Sequence, residues 1–475
     1  MAINRSWAAD GLRGLSFSNR PRPVPTRFWI ISLASIFIVA LLFVGHTSDS
    51  LPSIPYLNKQ PEQGQQQPPP PPPLPKPPKK GSPDDYDPEN FEVGEDGLKI
   101  WEPPNMDALV HGVHASDGIK RKPTYPLDPF PQTPMTSPLE DNRPRPWLGA
   151  VICSAWDIKR RMLIRYTWMK LFKDVPMDQR FVISNPGPDW RAVIQQENAT
   201  FGDMIVLDHL QEDDFTANTV KTVEFYRWLS EKSPVKYEFV SKMDTDLWVN
   251  ARAYWDRQIL PRLDVATSPD NKETVTGYKA NVNYTTIGQF YYDSYHHTAF
   301  PHGAIYTVTW DIVTLLPKLQ DRFHIIAGED VTMAWLLMKG QQKVTMAILT
   351  QEEKFEFDHK DTRPGEKTPW ARKGTDVTSS WHAMYGSEIL AIHQLKNDDD
   401  WLMVAECFDE RGIKEMPPYP EKEPEDKGEK PGYPRPFWTQ IPNDFWETDV
   451  DGTLLCNGIW KLEPGVGRDM KRKGE

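Results

Sequence analysis

From Trp147 onward, short runs rich in β-branched and aromatic residues alternate with segments whose apolar residues recur every three or four positions. No other property of the chain restricts its fold as strongly. Trp147–Ser154 (WLGAVICS) reads as a buried strand, and Asp157–Phe172 (DIKRRMLIRYTWMKLF) as a helix with Asp157 at its start. Arg180–Ser184 and Met204–Leu207 read as further short strands, Asn218–Leu229 as a helix, and Tyr237–Ser241 as the strand that follows it. Repetition of strand and helix implies an α/β sandwich with a mostly parallel sheet flanked by helices. In such sheets ligands sit beyond the carboxyl ends of the strands.

The last of these strands runs into FVSKMDTDLWVN at Phe239–Asn250, which places Asp244 and Asp246 one residue apart at that end. In extended backbone, alternate side chains share a face, so the two carboxylates can share one cation. Hard oxygen ligands suit Mg²⁺ or Mn²⁺, which complete their shells with water and substrate phosphates. An isolated D-x-D is more often a pair of solvated turn residues, so the rest of the chain must decide. A phosphatase of the haloacid dehalogenase type would need Thr or Val two positions after the second aspartate, where this chain has Trp248.

The 46 prolines of the 475 residues are unevenly spread, so a good part of the chain is not core. Phe28–Val44 (FWIISLASIFIVALLFV) is apolar and uncharged, about the shortest stretch that spans a bilayer. Arg5, Arg13, Arg20, Arg22 and Arg27 precede it and only Asp49 follows as far as Pro55, which keeps residues 1–27 cytosolic and makes 28–44 an uncleaved anchor. Beyond it, residues 45–146 form a Gln- and Pro-rich stem, with six consecutive prolines at Pro68–Pro73, and a segment that wraps onto the domain. The regular domain occupies 147–404, and 405–475 is a Pro- and Trp-rich extension of unassigned task. A net charge of −12 argues against a nucleic-acid partner. Of three cysteines, Cys153 reads as a buried thiol, whereas Cys407 and Cys456 could pair. With the body lumenal, the sequons at Asn198 and Asn283 are open to glycosylation and the one at Asn4 is not.

Five motifs, in order, resemble those of the family 31 glycosyltransferases, the β1,3-galactosyltransferase, β1,3-N-acetylglucosaminyltransferase and Fringe group. RRMLIRYTW at Arg160–Trp168 is similar to the family's RRxxIRxTW. GDMIVLDHLQEDDFTANTVKT at Gly202–Thr222 resembles its GDII segment, and KMDTDLWVN at Lys242–Asn250 its KTDDDVFVN. GEDV at Gly328–Val331 resembles its EDV, and AIHQLKNDDDW at Ala391–Trp401 its VHQ segment. The chain departs from the pattern at Thr245, where the family has a third acidic residue. It departs again at Pro301–Val313 (PHGAIYTVTWDIV), which keeps only Gly303 of three glycines.

The resemblance implies a GT-A fold, with a Rossmann-like sheet, on a type II Golgi membrane anchor with a lumenal catalytic domain. It implies an inverting transfer of galactose or an N-acetylhexosamine from a UDP-sugar to a glycan on protein or lipid, in β1,3 linkage. Mn²⁺ is the expected cofactor, with Mg²⁺ possible, because an imidazole among carboxylate and phosphate oxygens suits Mn²⁺ better. Asp246 and His393 are then the metal ligands, with His382 the rival histidine, and Asp244 contacts the donor or a metal-bound water. Asp330 maps onto the family's general base and Glu329 onto the substrate side; helix N-terminal carboxylates are the plainer reading of both. Arg160, Arg161 and Arg165 fall where α/β folds bind nucleotides. Positions 161 and 165 share a helix face, so at least one of the three is a surface or structural ion-pair residue. The competing reading is a catalytically inactive, membrane-tethered sugar-binding protein.

Overall fold

The computed structural model describes residues 123–132, 145–293, 298–419, 446–449 and 451–463. The expected cytosolic tail at 1–27, the expected anchor at 28–44, the proline run at Pro68–Pro73 and the Asn4 sequon lie outside the described residues. Among the described residues no helix is long and apolar enough to cross a membrane.

Four parallel strands open the sheet: β1 (Trp147–Ile152), β2 (Met177–Asn185), β3 (Met204–Gln211) and β4 (Phe239–Met243). They lie side by side in the order β3-β2-β1-β4. Each alternates its side chains between two apolar layers, as period-2 geometry requires. From β1, Trp147 and Val151 join one layer while Leu148 and Ala150 join the other. The first helix, α1 (Ile158–Ile164), continues as a wider π-turn over Arg165–Met169. Trp168 and Phe172 are buried there as core residues. The Thr167 hydroxyl donates to Leu163 O at 2.6 Å inside that distorted turn, a local bond that competes with the helical ladder.

A helix not read from the sequence, α2 (Gly187–Phe201), joins β2 to β3 and ends at Gly202 in the left-handed region, φ +64°. Its inward stripe is sparse, essentially Trp190 and Ile194 with the polar Glu197 and Asn198, which is why periodicity does not reveal it. Asn198 is buried and its side chain accepts from Met204 N at 3.3 Å, so that sequon is closed by folding, whereas Asn283 is exposed. Two helices follow β3, the short α3 (Asp214–Asn218), capped by Asp213, and α4 (Lys221–Glu231).

Beyond β4 the sheet is no longer purely parallel. β5 (Trp248–Val249) leaves for a second small sheet, α5 (Ala251–Tyr254) follows, and β6 (Leu263–Thr267) and β7 (Val275–Ala280) make a separate antiparallel pair. β8 (Thr285–Asp293) and β9 (Thr298–Thr309) then form an antiparallel pair, with β9 antiparallel to β4. Helices α6 (Trp310–Phe323) and α7 (Glu329–Lys339) cover the second layer, and β10 (Val344–Ile348) pairs parallel to β8. The sheet is therefore mixed: β9 and one later strand, Leu454–Cys456, are reversed, while the other eight of its ten strands run the same way. A 12-residue strand, β9, turns back directly beside β4 and lays its backbone against the site.

β11 (Lys354–Phe357), β12 (Trp381–His382) and β13 (Ala391–His393) join β5 in the second sheet, in the order β12-β11-β13-β5. Helix α8 (Asp398–Ala405) and the hairpin β14 (Phe408–Asp409) and β15 (Gly412–Ile413) follow. The sheet also runs past the boundary expected at residue 404. β16 (Trp446–Thr448), β17 (Leu454–Cys456) and β18 (Trp460–Leu462) extend it, with β18 parallel to β10. Residues 123–132 lie against the domain: Phe130 is buried and the Tyr125 hydroxyl donates to Asn185 O at 2.7 Å.

No disulfide links Cys407 to Cys456, and all three cysteines are free thiols. Cys456 is fully buried at the sheet edge, where burial pushes its thiol up to about 12, while the Cys407 Sγ donates to Met403 O at the end of α8.

Candidate active site

The two aspartates emerge where β4 ends. Asp244 N donates to Ala304 O of β9 at 3.0 Å, continuing the ladder by one residue, and Asp246 O accepts from Leu395 N at 3.0 Å. The second bond pins the loop after β13 against the aspartates. Their side chains meet His393: its Nε2 lies 3.1 Å from Asp246 Oδ1 and 3.7 Å from Asp244 Oδ2. Neighbouring ligand atoms around a small octahedral cation are about 3 Å apart, the diagonal of bonds near 2.1 Å. His393 and Asp246 have that spacing, all three ligand atoms of Asp244, Asp246 and His393 lie within 4.8 Å of one another, and the mix of carboxylate and imidazole donors fits Mn²⁺. Burial opposes the charge on His393, but hydrogen bonds to Asp246 and Glu356 prevail and raise its imidazole to about 9. Asp246 is held below its ordinary value by His393 despite its own burial. His382 is not part of this cluster; it is buried, stacked on Phe355 at 4.1 Å, and lowered by burial to about 4.

Asp330 stands in the first turn of α7. Its Oδ2 accepts from Gly303 N at 3.1 Å, and its Oδ1 from Val331 N at 2.8 Å. Burial, reinforced by the neighbouring Glu329 charge, raises its carboxyl to about 7, where a general base at neutral pH works best. Glu329 is turned inward, accepting from the Tyr306 hydroxyl at 2.7 Å.

Lys242, on β4, joins the two groups of carboxylates. Its buried ammonium lies 2.7 Å from Asp244 Oδ1, 2.7 Å from Glu329 Oε1 and 2.5 Å from Gly303 O. Burial disfavours its charge, but Asp244 and Glu329 more than compensate and raise its pKa. Gly303 thus accepts from Lys242 and donates to Asp330 through its own peptide groups. A Cβ there would meet Glu329 Oε1 at 2.8 Å and Asp330 Oδ2 at 3.2 Å, so a larger residue would have to displace both carboxylates. The two lost family glycines correspond to Ala304 and Ile305, whose side chains are accommodated in the core.

The three arginines divide. Arg161 is fully buried, paired to both oxygens of Glu197 at 2.8 and 2.7 Å, and donates to Ser154 O and Ala155 O. Arg165 forks onto Asp203 at 2.8 Å through two nitrogens and reaches Glu197 at 2.6 Å. Both are committed to an internal ion-pair network. Arg160 instead donates to Lys396 O at 2.8 Å and lies over the Trp401 ring at 5.0 Å, bordering the loop that follows His393.

Sequence reasoning missed Lys242, His302, Lys354 and Glu356. Lys242 and His302 each lie within a quoted motif, beside Asp244 and Gly303, and their adjacency was the available signal. Nothing in the sequence ties Lys354 or Glu356 to His393.

Residues 159–346 match the family model described as Galactosyltransferase. The chain therefore carries a galactosyltransferase-family domain, which contains Asp244, Asp246, Glu329 and Asp330 and ends before Glu356 and His393. Among curated proteins it is similar to UDP-GalNAc:beta-1,3-N-acetylgalactosaminyltransferase 2 of Homo sapiens, 25% identical over 156 residues, 32% of this chain and 29% of that protein. The Xenopus tropicalis protein of the same name is 27% identical over 171 residues, 35% of this chain and 33% of that protein. The matches thus span about a third of the relatives' length. Among solved structures, the galactosyltransferase LgtC in complex with donor and acceptor sugar analogs aligns at 9% identity and a TM-score of 0.28, covering 44% of this chain and 75% of that one. The apo glycosyltransferase GlyE of Streptococcus pneumoniae TIGR4 aligns at 15% identity and a TM-score of 0.26, covering 44% and 46%. Overlaps this small carry no argument, and the fold rests on the chain's own mixed sheet.

Proposed function

We propose that the chain is an inverting glycosyltransferase of GT-A type, which moves galactose or an N-acetylhexosamine from a UDP-sugar to a glycan hydroxyl in β1,3 linkage with Mn²⁺. The observation that carries this reading is the pairing of two unlike carboxylate groups through one lysine. Asp244 and Asp246 with His393 have the spacing and donor set for a divalent ion, while Asp330, beyond Lys242 and Gly303, is poised near 7 as a base.

Asp246 and His393 would hold the ion, and Asp244 would contact the donor or an ion-bound water. The ion, when bound, would offset the charge that develops on the departing diphosphate. Asp330 takes the proton of the acceptor hydroxyl as that oxygen attacks the anomeric carbon from the side opposite the leaving UDP. One displacement inverts the anomeric centre, so no nucleophilic side chain is required. Gly303 N and Val331 N hold the Asp330 carboxylate in place, and Lys242 limits the repulsion between the two acidic groups.

The test is a screen of UDP-galactose, UDP-GlcNAc and UDP-GalNAc, the last prompted by the relatives' name, against a panel of glycan acceptors with and without Mn²⁺. Transfer with inversion and dependence on Mn²⁺ supports the reading. Metal-dependent UDP binding with no transfer to any acceptor would favour an inactive sugar-binding protein. A single-pass type II Golgi location belongs to the same proposal and predicts glycosylation at Asn283 but not at the buried Asn198.

A further inference from the structure

His393 uses both ring nitrogens. While Nε2 faces Asp246 Oδ1 at 3.1 Å, Nδ1 contacts Glu356 Oε2, and the two residues are direct register partners on the parallel strands β11 and β13. A neutral imidazole has one N–H and one lone pair. With Nδ1–H donated to a carboxylate, the proton that an entering ion displaces is the one on Nε2, which leaves the lone pair on the side of the aspartates.

Glu356 is itself held from behind. Its Oε1 contacts the ammonium of Lys354, which is fully buried and donates to His302 Nδ1 at 2.8 Å. The His302 ring packs edge-on to Tyr291 at 4.7 Å and to His393 at 5.4 Å. His302, Glu356 and His393 could by spacing hold a second ion. The Lys354 ammonium, however, already touches both His302 Nδ1 and Glu356 Oε1, so another cation would meet a fixed positive charge. The buried lysine acts as the counter-charge of Glu356, which supports its ammonium against a burial that lowers its pKa.

We infer that Glu356 is a positioning residue for this site: backed by Lys354 and His302, it fixes the tautomer and ring orientation of His393 so that Nε2 is presented to an ion shared with Asp246. This rests on the reading of Asp246 and His393 as ion ligands.

The experiment titrates the full chain with Mn²⁺, following free Mn²⁺ by electron paramagnetic resonance, for wild type, Glu356→Gln, the double variant Glu356→Leu/Lys354→Met, and Asp246→Ala. The double variant removes both buried charges together and leaves no unpaired lysine. Loss of a supporting partner of this kind typically weakens metal binding about 10- to 100-fold. The double variant should lose that much and Glu356→Gln, which keeps an acceptor oxygen, less. Spin-echo modulation of bound Mn²⁺ by the His393 ring nitrogen should weaken in the same order, a signature that a merely structural role would leave alone. Wild-type affinity and modulation in the folded double variant, with binding lost in Asp246→Ala, would overturn the inference alone. If the double variant does not fold, unchanged affinity and modulation in Glu356→Gln overturns it equally. Wild-type binding in Asp246→Ala would instead overturn the ion-site reading.

Discussion

Behind α1, Arg161 and Arg165 face Glu197 and Asp203, whereas beyond the end of β4 Lys242 and Lys354 face Asp244, Asp246, Glu329, Asp330 and Glu356. In the second network Asp244 is partly exposed, whereas the first is buried and closed. Its guanidiniums fork onto carboxylates, and each carboxylate is held by at least one arginine. The second has more carboxylates than cations, even with His393 counted as charged. Uncompensated buried charge costs several kcal/mol per ion, and the excess is relieved here in part by the raised Asp330 carboxyl and the partial exposure of Asp244, which leaves room for a further cation. The balanced network is built for stability, and the unbalanced one is the proposed site.

That contrast can be broken in four ways. The largest effect is expected from Asp246→Ala, which removes a ligand from an ion held by few protein groups: Mn²⁺-dependent UDP binding and transfer should both disappear. Unchanged metal-dependent UDP affinity in the folded variant would return the pair to ordinary surface carboxylates. Next comes Asp330→Asn, which keeps shape but cannot accept a proton. Transfer should fall roughly 10²- to 10⁴-fold, with Mn²⁺ and UDP affinities nearly unchanged. Near-normal transfer would move the base elsewhere, with Glu329 the first candidate.

The closed network should respond in the opposite way. Glu197→Gln leaves Arg161 and Arg165 short of a buried counter-charge and should cost roughly 3–5 kcal/mol of stability in denaturant melts, with Mn²⁺ affinity unaltered. A large loss of UDP affinity in the folded variant would return one of these arginines to the donor site.

The smallest effect concerns pH. The Asp330 carboxyl is raised from 3.8 to about 7, so its base form is lost on acidification, and kcat/KM should rise about tenfold per pH unit up to about 7 and then level. Stability runs the other way. The folded chain keeps a proton that the unfolded chain releases, so the contribution of Asp330 is full below about 4 and is lost as pH rises through about 7. Asp330→Asn should remove that part of the pH dependence of Tm, and an identical Tm profile in the variant would contradict the raised value.

How far the sequence reaches can be judged from the same residues. The order β1, β2, β3, β4 and the place of Asp244 and Asp246 at a strand end were legible, because alternating apolar residues and turn signals are local properties. The reversal at β9 was not, since nothing within Thr298–Thr309 states which neighbour it will join or in which direction. Charge was misread for a related reason. Arg161 and Arg165 share a face as their spacing implies, but whether that face meets a nucleotide or Glu197 depends on α2, whose weak apolar stripe concealed it. Glu356 was invisible because it becomes a partner of His393 only when β11 and β13 pair across 37 positions.

The last strands also bear on how the protein can be handled. β18 covers the outer edge of β10, Trp460 is fully buried with its Nε1 donating to Ala299 O at 2.8 Å, and Arg262 reaches Glu463 at 2.6 Å. A shortened version that stopped at residue 404, where the family-like motifs end, would strip that cover. It would leave β10 with a bare row of amide and carbonyl groups, a template on which a second molecule can add a strand. Soluble material for crystallography or assay should therefore be cut from the N-terminal side and kept intact through Glu463.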